Sequence, residues 1–346
     1  MSARTTFSIV ALVCGAAFVS LACAQNEHSA LHKTQFVTVD GDIRLEILDW
    51  GGRGRTLVFL AGLGNTAHVF DEFAPRFTDE FRAVGITRRG FGASNRPSVG
   101  YGVEQLSEDV VAVLEALRLD GPVLVGHSIA GEELSYIAAR DGNRIGGLVY
   151  LDAAYDRTGA EISALWKEWP PAAPEPSPSE RASQLAYQEF SRRTRGYALP
   201  EFDLDQYTKF GDPPPNVSQA IMAGVMAPDY KRIGAPALAL YASPRSADQL
   251  FPAYGALGLD VQRRVDAFWP KWATLVQRER ERFQGEVGRG TAVELIGATH
   301  YLFLSNTEET ATLMRTFLDT LETKPSVALG LSARCDKPAS LPATCG

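Results

Sequence analysis

A serine lies between an apolar run and a helix-like run in the segment LVGHSIAGEEL, residues 124–134. A strand that turns sharply into a helix holds such a serine above the sheet with its hydroxyl exposed. The helix N-terminus beneath it favours developing negative charge. The pattern predicts that Ser128 is a nucleophile, although so short a glycine-containing match also arises by chance.

A nucleophilic serine needs a general base, and His300 is the candidate. It stands in GATHYLFLS, just past the apolar run that predicts the last strand. The chain has five histidines, and this one lies at a strand end in the second half. An imidazole there can take the serine proton. We interpret His127, within the turn itself, as structural.

A glycine-rich loop, LAGLGN at residues 60–65, ends an earlier predicted strand. Backbone N–H groups in such a loop can stabilise the oxyanion of an acyl-transfer intermediate. We predict the amide of Leu63 as one donor and the amide of Ile129, directly after the serine, as the second.

Strands and helices alternate around these residues, which predicts right-handed crossovers and a mainly parallel sheet. A hairpin turns at Asp40-Gly41, and an amphipathic helix covers VEQLSEDVVAVLEALRL. DEFAPRFTDEF, residues 71–81, also has helical spacing. Buried strands are predicted in RTLVFLAG, FRAVGIT, GPVLVG, IGGLVYL, APALALYAS and TAVELIG.

The strand rhythm stops from about 156 to 232, where the chain contains WPPAAPEPSPSE and FGDPPPN. We interpret this segment as an inserted helical cap. Its large side chains either line a pocket or form the cap's own small core; they are Trp166, Trp169, Tyr187 and Met222.

Features at both ends of the chain predict export. Residues 1–24 combine an early arginine, a short apolar run and Ala22-Cys23-Ala24, which predicts a signal peptide cleaved after Ala24. An uncleaved membrane anchor is the alternative. We expect a secreted or periplasmic protein, without stable membrane insertion after cleavage. The tail 323–346 holds Cys335 and Cys345, which an oxidising compartment would favour as a disulfide.

Composition narrows the function classes. The 346 residues are 45% hydrophobic with a net charge of −7, so the chain has a globular composition and no basic footprint for nucleic acid. No Cys/His spacing resembles a metal site, and we expect neither a metal nor a cofactor. Glu132 and Glu133 are interpreted as solvated helix residues, and Arg88 and Arg89 as charge-pairing or loop-packing residues.

The oxyanion loop, the turn RRGFGAS, the GHS turn and the late GATH together resemble the α/β-hydrolase superfamily, in its esterase-like serine branch, over roughly residues 34–322. The resemblance implies a mostly parallel eight-stranded sheet flanked by helices, with the cap 156–232 dividing a core of 25–155 and 233–322. It also implies the chain order serine, acid, histidine. Departures from the family pattern are Ala61, Thr87 and Ala130, where many members carry His, Asp and Gly.

Two residues compete as the acid. Asp248 follows APALALYAS, where most members of the superfamily place it, but it falls late in its loop. Asp152 ends the strand IGGLVYL, the position that some relatives use. A strand end mounts a carboxylate more rigidly, so we favour Asp152 and keep Asp248 as the alternative.

A serine at this turn favours acyl chemistry, because the epoxide hydrolases and haloalkane dehalogenases of this superfamily use aspartate there. The predicted function is therefore hydrolysis of a small-molecule carboxylic ester through an acyl-enzyme. Peptide, lactone or C–C bond hydrolysis and perhydrolysis stay open, as does a non-catalytic binding protein on the same fold.

Overall fold

The computed structural model describes residues 31–170, 176–195, 217–251 and 253–321. The predicted signal peptide and the cysteines of the tail lie outside the described residues, as does part of the predicted cap. Within these ranges, no helix combines the length and apolarity needed to cross a membrane.

A single sheet of eight strands runs through the described residues in the order β1-β2-β4-β3-β5-β6-β7-β8. Strand β2 pairs antiparallel with β1 and β4, and the other neighbours are parallel. This confirms the mostly parallel eight-stranded sheet. The strands are β1 Lys33–Thr38, β2 Arg44–Gly51, β3 Thr56–Leu60, β4 Arg82–Ile86, β5 Val123–His127, β6 Gly147–Leu151, β7 Ala237–Ser243 and β8 Gly290–Ile296.

Helices cover both faces of this sheet, which is why every residue of β3, β5 and β6 is buried. The helices are α1 Val103–Ala116, α2 Gly131–Asp141, α3 Ala160–Glu168, α4 Gln184–Arg195, α5 Val217–Ala223, α6 Ala247–Leu250, α7 Leu259–Glu286, α8 Leu302–Ser305 and α9 Thr307–Asp319. Helices α1, α2 and α7 contribute to the core on one face, and α8 and α9 contribute to the core on the other.

The segment 71–81 differs from its predicted helix. Short 3₁₀ turns form at Ala67–Phe70 and Ala74–Phe77 instead. Pro75 lies in the second turn, and it has no N–H to donate to a continuous helix. Phe70 and Phe73 pack against Phe303 of α8, with ring centroids 4.9 and 5.7 Å apart. Aromatic burial, rather than helical hydrogen bonding, therefore shapes this segment.

In the described part of the region predicted as a cap, the helices α3, α4 and α5 lie between β6 and β7. The described part of the region contains no strand. Whether these helices act together as a lid stays a prediction, which the cavity described below supports.

Candidate active site

Ser128 stands where β5 turns into α2. The strand ends at His127, a 3₁₀ turn covers Ser128–Ala130, and α2 begins at Gly131. The φ angle of Ser128 is 55°, a left-handed conformation that is uncommon for residues other than glycine. Such strain persists where the surrounding structure imposes it, and it concentrates at functional sites.

The small residues of the turn permit close packing on two sides. A Cβ atom at Gly131 would lie 2.0 Å from the carbonyl oxygen of Ala153. A Cβ atom at Gly126 would lie 2.8 Å from Leu134. Ala130, which occupies the usual second glycine position, is fully buried. The position of closest backbone approach is therefore Gly131, which explains why Ala130 is tolerated.

His300 lies between Ser128 and Asp152. Its Nε2 is 2.9 Å from Oγ of Ser128, and its Nδ1 is 2.6 Å from Oδ2 of Asp152. The imidazole is 47% exposed, whereas Asp152 is buried. The structure thus forms a continuous chain of hydrogen bonds from hydroxyl to imidazole to carboxylate, as the sequence predicts for these three residues.

Asp152 is held by more than the imidazole. Its Oδ1 accepts hydrogen bonds from the Tyr155 hydroxyl at 2.5 Å and from the backbone N–H of Ala242 at 3.0 Å. Burial raises the pKa of the Tyr155 hydroxyl well above its ordinary value, so this group keeps its proton and donates. The φ angle of Asp152 is 47°, again left-handed. The carboxylate is therefore fixed in one orientation.

Asp248, the alternative acid, lies elsewhere. It is exposed in the first turn of α6. The carboxylate that contacts Nδ1 of His300 belongs to Asp152. Sequence spacing left the two positions open, and the three-dimensional arrangement favours Asp152.

The loop that carries Leu63 lies beside the nucleophile. A Cβ atom at Gly62 would lie 3.2 Å from Cβ of Ser128 and 2.7 Å from Nδ1 of His127. Leu63 and Ile129 pack into the same small hydrophobic cluster. These contacts bring together the two segments predicted to supply the oxyanion donors; donation by their amides stays a prediction.

His127 packs against His300 and donates a hydrogen bond to its backbone. Its buried ring lies 4.7 Å from the His300 ring, centroid to centroid. Its Nε2 donates to the carbonyl oxygen of His300 at 3.0 Å. Burial lowers the pKa of His127 well below its ordinary value, so the ring is neutral. These contacts agree with the structural role predicted for His127.

The interpretation of Glu132 and Glu133 as solvated residues is wrong. Both are buried, and they pair with Arg157 at 3.1 Å and with Arg88 at 2.7 Å. Burial raises the pKa of Glu132, and the Arg157 guanidinium opposes that rise. The prediction rested on helical spacing, which is compatible with two glutamates on a polar face. It could not show the buried arginine partners, because these come from loops distant in the sequence.

Arg157 is a site residue that the sequence analysis missed. It is buried, and its Nη2 donates to the carbonyl oxygen of Ser128 at 2.8 Å. The guanidinium therefore links the strained turn to Glu132. The charge pairing predicted for Arg89 is confirmed, because it makes two hydrogen bonds to Asp109 at 2.6 and 2.5 Å.

A cavity of about 470 Å³ opens onto Ser128 and His300. That volume is typical of sites for small organic ligands. Six aromatic rings contribute to its wall, and they come from Tyr155, Trp166, Trp169, Phe251, Trp272 and Tyr301. Trp166 and Trp169 thus line the cavity, whereas Tyr187 and Met222 pack into hydrophobic clusters.

Known proteins resemble the chain over much of its length. The sequence profile of the Alpha/beta hydrolase family matches residues 57–313. A crystal structure of E-2-(acetamidomethylene)succinate hydrolase superposes with a TM-score of 0.57 at 18% identity, covering 83% of this chain and 99% of that chain. This likeness concerns the fold.

Curated relatives match over a shorter stretch. A non-heme chloroperoxidase of Streptomyces lividans is 34% identical over 120 residues, which cover 34% of this chain and 44% of the relative. A bifunctional esterase/perhydrolase of Acinetobacter calcoaceticus is 35% identical over 107 residues, covering 30% and 39%. The matched region thus spans less than half of either relative. Since the family profile covers most of the chain and its sheet has the same architecture, the chain belongs to the alpha/beta hydrolase family.

Proposed function

We propose that the protein is a serine hydrolase that cleaves a carboxylic ester of a small molecule through an acyl-enzyme. One observation carries the proposal: His300 contacts Oγ of Ser128 with one ring nitrogen and the buried Asp152 carboxylate with the other. This geometry activates a serine hydroxyl and stabilises the imidazolium that forms.

In the proposed first step, Nε2 of His300 takes the proton from Oγ as the oxygen attacks the ester carbonyl. The amides of Leu63 and Ile129 stabilise the oxyanion of the tetrahedral intermediate. His300 then returns the proton to the departing alcohol, and the acyl group stays on Ser128. Water, deprotonated by the same imidazole, attacks the acyl-enzyme and releases the acid.

The cavity wall supports an ester with a bulky apolar or aromatic part. Trp169 lies 5.2 Å from Phe251 and 5.3 Å from Trp272, centroid to centroid, with interplanar angles of 62° and 90°. Rings arranged in this way offer a ligand both faces and edges for contact. We propose that α3, which carries Trp166 and precedes Trp169, serves as part of the cap and helps to select the substrate.

A second candidate reaction is perhydrolysis, in which hydrogen peroxide replaces water as the nucleophile that attacks the acyl-enzyme and a peracid is released. The specific observation in its favour is the likeness to the bifunctional esterase/perhydrolase of Acinetobacter calcoaceticus. Both reactions use the same acyl-enzyme, so they differ only in the second nucleophile.

The experiment is a substrate panel on the purified chain. Aryl esters of graded acyl length should be hydrolysed, and a matched amide and a lactone should be hydrolysed more slowly. Ser128→Ala provides the blank, and peracid formation with hydrogen peroxide measures the second candidate. Trp169→Ala should raise KM for the bulkiest ester and leave an acetyl ester nearly unchanged. If the amide or the lactone is the best substrate, ester hydrolysis is not the principal activity.

A further inference from the structure

A group of metal-ligating side chains contains no residue of the triad. His32 precedes β1, His68 lies in the 3₁₀ turn after β3, and Asp71 follows that turn. One donor atom from each residue lies within 4.8 Å of the other two. We refer to His32, His68 and Asp71 as the imidazole–carboxylate cluster.

The spacing of the donor atoms suits a tetrahedral metal ion. Nδ1 of His68 is 3.0 Å from Oδ2 of Asp71, and Nε2 of His32 is 3.6 Å from Oδ1 of Asp71. Tetrahedral Zn²⁺ with bonds of about 2.0–2.1 Å separates its ligand atoms by roughly 3.4 Å. The 3.0 Å distance is shorter than that value, and the 3.6 Å distance, which ends on the other carboxylate oxygen of Asp71, is longer.

Each member of the cluster also has an outer partner that orients it. Nδ1 of His32 is 3.3 Å from the Thr34 hydroxyl, so Nε2 faces Asp71. Nε2 of His68 is 3.6 Å from a Glu46 carboxylate oxygen, and Trp50 donates to Oδ1 of Asp71 at 2.9 Å.

Metal-bound histidines commonly donate their second N–H to a carboxylate or another oxygen, and metal-bound carboxylates are themselves hydrogen-bonded. The outer contacts of the cluster match that pattern. Glu46 is itself fixed, because the Thr87 hydroxyl donates to its other oxygen at 2.8 Å.

We propose that His32, His68 and Asp71 bind a divalent metal ion of the zinc class, through Nε2, Nδ1 and Oδ2, with water in the remaining position. The ion ties the chain just before β1 to the turn after β3. Because none of the triad residues belongs to the cluster, this proposal is independent of the proposed hydrolase function.

The competing explanation is an ion-pair network without metal. A protonated His68 between Asp71 and Glu46 would produce similar distances. It would not require His32 to face the same carboxylate, with the two imidazole rings 4.9 Å apart. Metal titration separates the two explanations.

The test uses the full chain, purified without a polyhistidine tag and freed of metal by a chelator. Calorimetric titration with Zn²⁺ should show one equivalent bound with a dissociation constant of micromolar or below. Trp50→Phe, which removes the outer hydrogen bond to Asp71 and keeps an aromatic ring, should weaken binding by about 10-fold or more. His32→Ala and His68→Ala should weaken it further, whereas His300→Ala, which removes the imidazole of the triad, should bind zinc as the wild type does.

X-ray absorption at the zinc edge of the one-equivalent complex should count two imidazole nitrogens, a readout that needs no variant. Absence of stoichiometric binding would overturn the proposal. So would binding that survives His32→Ala and His68→Ala but is lost in His300→Ala, because zinc would then occupy the triad.

Discussion

Two residues of the proposed triad have strained backbone conformations. Ser128 and Asp152 both have positive φ angles, and each is held by a buried partner. Arg157 donates to the carbonyl oxygen of Ser128, and Tyr155 donates to the carboxylate of Asp152. These contacts explain how two unfavourable backbone conformations persist at the carboxyl ends of neighbouring strands.

The assignment of Asp152 as the acid can be tested by replacing aspartate with asparagine, which removes the charge and keeps the shape of the side chain. Asp152→Asn should lower kcat by about 10⁴-fold, because the amide no longer stabilises the imidazolium and selects the wrong tautomer of His300. Asp248→Asn is the matched control, since Asp248 is exposed and should have little effect. Steady-state kinetics on an aryl ester measures both. A crippled Asp248→Asn beside an active Asp152→Asn would reverse the assignment.

His127 should make stability depend on pH. Its pKa is well below the ordinary value because of burial, so below about pH 6.5 the unfolded chain binds a proton that the folded chain does not. The neutral ring therefore does not lower the free energy of unfolding above pH 6.5. As the pH falls from 6.5 towards the folded-state pKa of His127, the free energy of unfolding falls by up to about 1.4 kcal/mol per pH unit.

The measurement compares the free energy of unfolding of wild type and His127→Gln between pH 5 and 8, so that the titrations of other groups cancel. The wild-type free energy should fall relative to that of the variant below pH 6.5. Parallel curves would show that His127 carries the same charge in both states.

Elements differed in how well the sequence predicted them. Strands β3, β5 and β6 were clear, because both of their faces are buried and each therefore appears in the sequence as a mostly apolar run. The α-helix predicted for residues 71–81 was wrong, because the spacing of apolar residues cannot distinguish an α-helix from 3₁₀ turns packed on aromatic rings. The burial of Glu132 and Glu133 at the start of α2 was missed because their cationic partners lie far away in sequence.

At the start of α2, the close contact of Gly131 can be tested by adding one methyl group. Gly131→Ala places a Cβ atom against the backbone carbonyl of Ala153 and should destabilise the fold by about 1–3 kcal/mol. Gly142→Ala, at the other end of the helix, meets open space and should be neutral or stabilising by up to about 1 kcal/mol. Chemical denaturation measures both; equal effects would refute the packing argument.

The arrangement of the whole sheet brings the site together. Strands β5, β6, β7 and β8 are consecutive neighbours, and all four are parallel. Their carboxyl ends therefore meet at one edge, where open α/β sheets bind ligands. The sequence predicted Ser128 and His300 from their strand-end positions. It left two acids open because Asp152 and Asp248 both follow strands. It gave no sign of the imidazole–carboxylate cluster, because His32 is distant along the chain from His68 and Asp71.

Export is a prediction for the whole molecule. Protein produced with its leader should be recovered outside the cytoplasm with Gln25 as its first residue and with Cys335 and Cys345 resistant to alkylation until a reductant is added. Intact-mass analysis before and after alkylation measures both features. Ala24→Leu should leave the leader attached, because signal cleavage needs a small residue there. A wild-type N-terminus at Met1, or two reactive thiols, would contradict this prediction.

The assignment of Ser128 as the nucleophile can be tested with a fluorophosphonate. Such a reagent phosphonylates a serine only where a neighbouring base activates the hydroxyl. Peptide mapping of the treated protein should find one adduct, on Ser128, with loss of esterase activity in proportion to labelling. The adduct should be absent from Ser128→Ala and should form much more slowly in His300→Gln. An adduct on another residue, or full esterase activity in Ser128→Ala, would contradict the account.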